Sequence, residues 1–213
     1  MEIKEPNLDG ITECNTIKGV IREAKIRDMD VACCFFYKCY EANVETDRME
    51  FSSCEFKDCI CLNSKFEKVY FTDVLFENCD FSNTVFYECN FVRVTFKNCK
   101  LVGANFCNVN MYNILIDTSN ISYSNLSLGT YKEVCFSESK LSNSTIQEVI
   151  LKDVEFERTN LIASQLCRTN LMNIDLSSCD ITGVAISQEY IKGLIVNEMQ
   201  AVELSKLLGV VIK

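Results

Sequence analysis

The sequence predicts an all-β solenoid, a chain that turns a corner every five residues and stacks the coils so formed. Two series of residues predict it. Large side chains fall on every fifth position from Phe51 to Ile191, as in Phe66, Phe71, Phe76, Phe81, Phe86, Phe91 and Phe96, with Cys61 the small exception. Thirteen of the 14 phenylalanines, counting Phe36, keep this phase, and Phe35 does not. A second series of small or medium residues lies two positions earlier, as in Cys54, Cys59, Ser64, Val69, Val74, Cys79, Thr84 and Cys89. A helix needs apolar spacings of three and four and a simple strand needs two, so neither fits. A five-residue unit cannot bury its own side chains and must stack on copies of itself.

The unit reads small-x-large-x-x, as in Cys79-Asp80-Phe81-Ser82-Asn83, Ala104-Asn105-Phe106-Cys107-Asn108 and Ser124-Asn125-Leu126-Ser127-Leu128. This pattern resembles the pentapeptide-repeat proteins over roughly residues 14–196. The resemblance implies a right-handed quadrilateral β-helix with four pentapeptides per coil, large residues on the axis and small ones beside them. Residues 1–196 are then the β-helix and residues 197–213 a separate C-terminal element.

In chain order, the first irregularity is at 41–48, where Glu41 and Thr46 occupy large-residue positions. The segment reads as a small loop leaving the rod, the alternative being two imperfect repeats that stay on it. The repeats then run unbroken through Gly103 to Leu126 and beyond. After residue 196 the period changes. Asn197 followed by Gln200 is a capping box, Ala201, Leu204 and Leu208 recur on one helical face, and Gly209 ends the helix. Val210, Val211 and Ile212 read as a short apolar strand that a second copy would cover.

Fourteen cysteines would suggest disulfides in a secreted chain. The segment 1–6 has no basic region followed by an apolar run, so a reducing, cytoplasmic setting with free thiols is expected. Cys14, Cys34, Cys39, Cys54, Cys59, Cys79, Cys89, Cys99 and Cys179 take the small inward position, Cys61 a large one, and Cys107, Cys135 and Cys167 outward ones. Buried cysteine packs as a small hydrophobe. The chain has no histidine, no paired Cys-x-x-Cys and no glycine-rich phosphate loop. No catalytic residues, metal or cofactor are therefore expected, and the chain reads as a binding protein rather than an enzyme.

The net charge is −9, which disfavours direct contact with nucleic acid or anionic membranes, and no apolar run reaches a bilayer's width. With four pentapeptides per coil, every fourth one shares a side. The side centred on Phe56, Phe76, Phe96, Ile116, Phe136, Phe156 and Leu176 displays Glu55, Asp58, Glu77, Asp117, Glu138, Glu155, Glu157 and Asp175 against Lys57, Lys97 and Arg158. Ile60, Leu62, Val102 and Ile162 point outward on the next side.

The C-terminal stretch from Leu194 to Ile212 is similar to the tail of the quinolone-resistance (Qnr) group. That resemblance implies a homodimer through Leu204, Leu208, Val210 and Val211. It also implies a DNA-mimicking partner of type II topoisomerases, DNA gyrase or topoisomerase IV, whose acidic side makes the contact. Several members of the group carry a larger loop that matters for protection against quinolones, and this chain has no room for it. The alternative is a scaffold for another protein partner.

Overall fold

The computed structural model describes residues 3–211. A corner residue builds the fold. Every fifth residue from Asp28 to Asn173 has φ between 46° and 63°, with Gly103 taking the same place at 69°. Left-handed backbone is uncommon outside glycine. Here it is held because each corner N–H donates to a carbonyl on the next coil: Asp58 to Glu77 at 3.0 Å, Asn63 to Ser82 at 3.1 Å, Asn83 to Val102 at 2.9 Å. The corner turns the chain, and the four residues between corners make a side.

Four such sides close a coil of twenty residues. The first two sides are strands. Short β1 (Thr12–Cys14), β2 (Val31–Ala32) and β3 (Cys34–Tyr37) precede β5 (Glu50–Lys57), each of whose halves forms one side about the corner at Ser53. β7 (Tyr70–Glu77), β9 (Asn90–Lys97), β10 (Asn110–Asp117), β11 (Thr130–Ser137) and β12 (Ile150–Glu157) repeat it, each parallel to the last with a shift of twenty: Phe51 opposite Phe71, Phe71 opposite Phe91. The third side is joined by bridges at the same shift, from Tyr40 through Ile60, Asp80 and Lys100 to Asp180. The fourth is the sheet of β4 (Glu45–Asp47), β6 (Lys65–Glu67) and β8 (Val85–Tyr87), continued by bridges to Ala185.

Inside, the large residues stack as ladders. Phe76 and Phe96 lie 4.8 Å apart, Phe66 and Phe86 5.3 Å, Phe86 and Phe106 4.9 Å, all nearly parallel. Phe76, Phe81, Phe86 and Phe96 are all fully buried. Stacking at about one strand spacing explains why one residue type can repeat down a column.

Three sequence expectations change toward the N-terminus. Residues 41–48 do not leave the rod: β4 pairs in register with β6, Thr46 opposite Phe66, and Val44 and Thr46 are buried. Glu41 has another duty. Its two carboxylate oxygens accept from the N–H groups of Ile17 (2.7 Å) and Lys18 (2.9 Å). These begin α1 (Ile17–Arg27), a helix where repeats were expected, with Thr16 as N-cap. Its buried Ile17, Ile21 and Ala24 close the N-terminal end of the core. The third change is at β1, which pairs with β3 at a shift of 22, Cys14 opposite Phe36, so Cys14 leaves the small-residue column and is half-exposed.

At the other end the capping box forms as expected. Asn197 and Gln200 bond each other reciprocally and open α2 (Glu198–Ser205), followed by a 3-10 turn to Leu208 and left-handed Gly209. Gln200 is the buried residue of α2; its amide donates to the carbonyls of Leu176 (2.9 Å) and Cys179 (2.8 Å). The helix therefore plugs the last coil with a polar side chain. Val210 and Val211 form no strand, and Ile212 lies outside the described residues.

Candidate functional site

The eight acidic residues expected on one side are on one side, flanking the second-side column, but they are not equivalent. In the N-terminal half Glu77 is paired with lysines one coil away, Asp58 is hydrogen-bonded by a neutral amide and Glu55 is partly buried. Glu77 takes Lys57 at 2.5 Å and Lys97 at 3.4 Å, and the lysines hold its carboxyl below the usual range. Asp58 accepts from Asn78, and Asn78 from Asn98, a ladder of corner side chains at 3.0 and 2.8 Å. Glu55 is partly buried, and desolvation pushes its carboxyl up. Further along, Arg158 covers Glu138 at 2.7 Å.

Among the described residues Asp117, Glu157 and Asp175 have no ion pair. Asp175 accepts from the backbone of Ser177 at 2.8 Å, which holds the carboxyl down, with the Ser177 side chain the larger cause. Glu155 and Glu157 lie with the Cys135 thiol so that their ligand atoms are all within 4.8 Å of one another. Cys135 was expected to face outward. It is buried, and burial first, then Glu157 and Glu155, pushes the thiol up to about 11. Of the expected set, Glu55, Asp58 and Glu77 stand against Lys57 and Lys97, and Asp117, Glu138, Glu155, Glu157 and Asp175 against Arg158, so the net negative charge is greater on the C-terminal half of this side.

The inward thiols have a role beyond packing. Cys59, Cys79, Cys99 and Cys89 each donate to the carbonyl of the large residue 23 positions earlier, at 3.2 to 3.3 Å. Thr84, Ser124 and Thr159 do the same at 2.7 to 2.9 Å. All fourteen thiols are free, and exposed Cys33 stands on a corner.

The residues expected at a dimer contact are separated. Leu204 packs half-buried against its own core. Val210 and Val211 are exposed, at 50% and 81%, and Met199, Val202 and Leu207 join them on the outer surface of the C-terminal end. Leu208 belongs to the 3-10 turn, and nothing further is described of it. On the third side Ile60 is exposed, while Leu62, Val102 and Ile162 are half-buried. Among the described residues no helix is long and apolar enough to cross a membrane.

Residues 49–126 match the family model described as pentapeptide repeat region. A search of curated proteins found no significant match. Among solved structures the chain is similar to HetL of Nostoc sp. strain PCC 7120, a pentapeptide repeat protein involved in heterocyst differentiation regulation. Identity there is 13%, over 84% of this chain and 97% of that one, with a TM-score of 0.43. It is also similar to a trypsin-treated form of QnrB1, a plasmid-mediated fluoroquinolone resistance protein, at 20% identity over 87% and 90% and a TM-score of 0.33. Rfr23 of Cyanothece 51142 gives 12% identity over 85% and 99%, with a TM-score of 0.22. The left-handed corner every fifth residue, the four sides stacked at a shift of twenty and the repeat-region match over residues 49–126 give this chain the pentapeptide-repeat β-helix fold.

Proposed function

We propose that the chain is a DNA-mimicking rod that binds a type II topoisomerase, DNA gyrase or topoisomerase IV, through the C-terminal half of its acidic side, and does so as a tail-to-tail dimer. The observation that carries this reading is the segregation of uncompensated charge. Among the described residues Asp117, Glu157 and Asp175 stand without ion pairs on one side, while toward the N-terminus Glu77 is paired with Lys57 and Lys97 and Asp58 is hydrogen-bonded into the asparagine ladder. A rigid array of carboxylates on a rod presents the field that a protein cleft built for duplex DNA attracts. The exposed apolar residues Met199, Val202, Leu207, Val210 and Val211 lie at the same end. A two-fold contact there would join two acidic halves into one longer surface, matching a two-fold symmetric enzyme.

No loop leaves the rod at 41–48 or between Gly103 and Leu126. The reading is therefore binding to the topoisomerase, with quinolone protection a separate question for the same assay. Purified protein is titrated into gyrase supercoiling and topoisomerase IV decatenation, with and without a quinolone. Modulation of either enzyme, lost in a triple variant Asp117→Asn, Glu157→Gln, Asp175→Asn, supports it. No effect on either enzyme over a wide concentration range removes it and leaves a scaffold for another protein partner.

A further inference from the structure

The chain before α1 does not trail away from the rod. It runs back along the corner between the first and second sides. The backbone N–H of Asn7 donates to the Asp73 carboxylate at 3.1 Å, and that of Lys4 to the Asn113 side-chain oxygen at 2.6 Å, contacts 66 and 109 residues apart in sequence. Asp73 and Asn113 are corner residues of coils two apart. Two coils rise about 9.6 Å at strand spacing, and three extended residues span about 10 Å, so the arm and the track are in register.

The track is built for this contact. Asp73 is held by a two-pronged bond from Arg93, Nε at 2.7 Å and Nη2 at 2.6 Å, which leaves Oδ1 also aimed at the arm. Asn113 is tied to Glu133 through its amide nitrogen at 3.3 Å, which turns its oxygen outward. It is 8% exposed, whereas Asp73, Arg93 and Glu133 of the same column are half-buried and Asp153 is exposed. Along the arm, Ile3, Pro6 and Leu8 are half-buried and Lys4, Glu5 and Asn7 exposed, the pattern of a segment with one face on a surface. Beside the track, on the second side, stand the outward-pointing Leu75, Thr95 and Leu115, of which Thr95 is buried and the leucines half-buried.

We propose that this corner is a docking track for an extended peptide, and that residues 3–8 occupy it in cis. The track reads backbone rather than sequence. Two fixed oxygens, on Asp73 and Asn113, take N–H groups three residues apart, and the leucines beside them favour small apolar side chains in between. A partner segment of that chemistry, extended and with a Pro-like residue between two free N–H groups and an Ile-like one before them, fits the same place. It must first displace the arm, so the arm sets the threshold for its binding. The oxygens that hold the arm are those of Asp73 and Asn113, not those of Asp117, Glu157 or Asp175, and the inference stands whether or not a topoisomerase is bound.

The probe is a fluorescent peptide of residues 1–10 of this chain, added to the protein lacking residues 1–9 and to the full chain. A docked arm experiences an effective concentration in the millimolar range. The shortened protein should therefore bind the peptide with a Kd below about 1 mM, and the full chain at least tenfold more weakly because its track is filled. Asn113→Ala in the shortened protein should weaken the peptide a further several-fold. No binding to the shortened protein at 1 mM, or equal binding to both proteins, overturns the proposal. Should the shortened protein fail to fold, the full chain decides. Tryptic cleavage after Lys4 should be slow in the wild type and several-fold faster in Asn113→Ala and Asp73→Ala; equal rates overturn it.

Discussion

The thiol of Cys79 donates to the carbonyl oxygen of Phe56 at 3.2 Å, 23 residues earlier in the chain and one coil away. The same bond runs from Cys59 to Phe36, from Ser124 to Leu101 and from Thr159 to Phe136. The small inward position is thus a donor position, which accounts for its Cys, Ser and Thr better than size alone. The strength should follow the donor. Ser124→Ala should cost about 1–2 kcal/mol, because it leaves the buried Leu101 carbonyl with one bond fewer. Cys79→Ala should cost less than Ser124→Ala, because a thiol is a weak donor, and Cys79→Ser should be tolerated. Urea midpoints check the order; an equal loss for both alanine variants would leave packing as the only role.

Burial and these bonds also set reactivity. Cys89 is fully buried, and desolvation pushes its thiol up to about 12, so at neutral pH it holds almost no thiolate. Alkylation followed by peptide mass analysis should label Cys33 within minutes and leave Cys79, Cys89 and Cys135 unmodified until the protein unfolds. Rapid labelling of Cys89 in the native state would place the inward phase wrongly.

How far the sequence disclosed this structure depends on whether a feature repeats. The axis and the small column were visible because each coil restates them, as was the capping box at Asn197 and Gln200, which is local. The left-handed corner was hidden although it also repeats, because it accepts Lys38, Arg48, Glu88, Leu128 and Asn143 alike. Only backbone geometry unites them. Helix α1 was hidden by a coincidence of periods: Ile21 satisfies both the helix and the five-residue phase, while Ile26, on the same phase, is 76% exposed. Glu41 looked like a broken repeat because its partner is that helix's N-terminus. The arm left no signal at all, its contacts being 66 and 109 residues away. The acidic side was legible as a sum, with Lys57, Lys97 and Arg158 set against it, but not the pairing that gives Glu77 both lysines and Glu138 the arginine.

A single tyrosine on the axis required a local exception. Tyr131 is fully buried in a large-residue position, and its hydroxyl donates to the Leu126 carbonyl at 2.7 Å. Gly129, in the small position beside it, leaves the room: a Cβ there would meet the Val109 carbonyl oxygen at 2.4 Å and the Tyr131 ring at 2.9 Å. Gly129→Ala should therefore destabilise by about 1–3 kcal/mol through overpacking, and Tyr131→Phe by about 1–2 kcal/mol through the lost bond. The two should be strongly non-additive, since the residues touch. A double-mutant cycle in thermal unfolding measures this, and additive losses would refute the coupling.

Acid should act on the track of the arm. The Arg93 guanidinium holds the Asp73 carboxyl below the usual range, burial opposes it, and the Asn7 N–H adds to the lowering. A depressed folded pKa means stability that is present above the unfolded value, about 3.9, and is lost as pH falls through the folded one. The stability gap between wild type and Asp73→Asn should be constant from pH 7 to about 5 and shrink below pH 4. A gap unchanged at pH 2.5 would show that the ion pair contributes nothing.

The tail offers the sharpest test of assembly, because its two surfaces do different things. Gln200 and Leu204 face the rod: the first bonds the Leu176 and Cys179 carbonyls, and the second packs on the core. Removing everything after Asn197 would strip those carbonyls of their partner and fray the last coil, so loss of a dimer in that truncation would not locate the contact. Met199 and Val211 face away, at 78% and 81% exposed, and touch neither function. Met199→Glu with Val211→Glu should leave the melting temperature of the repeats unchanged, since exposed substitutions cost little. If two copies meet here, the variant should be monomeric by light scattering where the wild type is a dimer, because each copy brings two buried charges to a two-fold contact with no partner for them. Loss of the dimer with the fold intact assigns the interface to the outer surface of α2 and the residues after it. A variant that remains dimeric moves it elsewhere, with the third side around Ile60 the next surface to substitute.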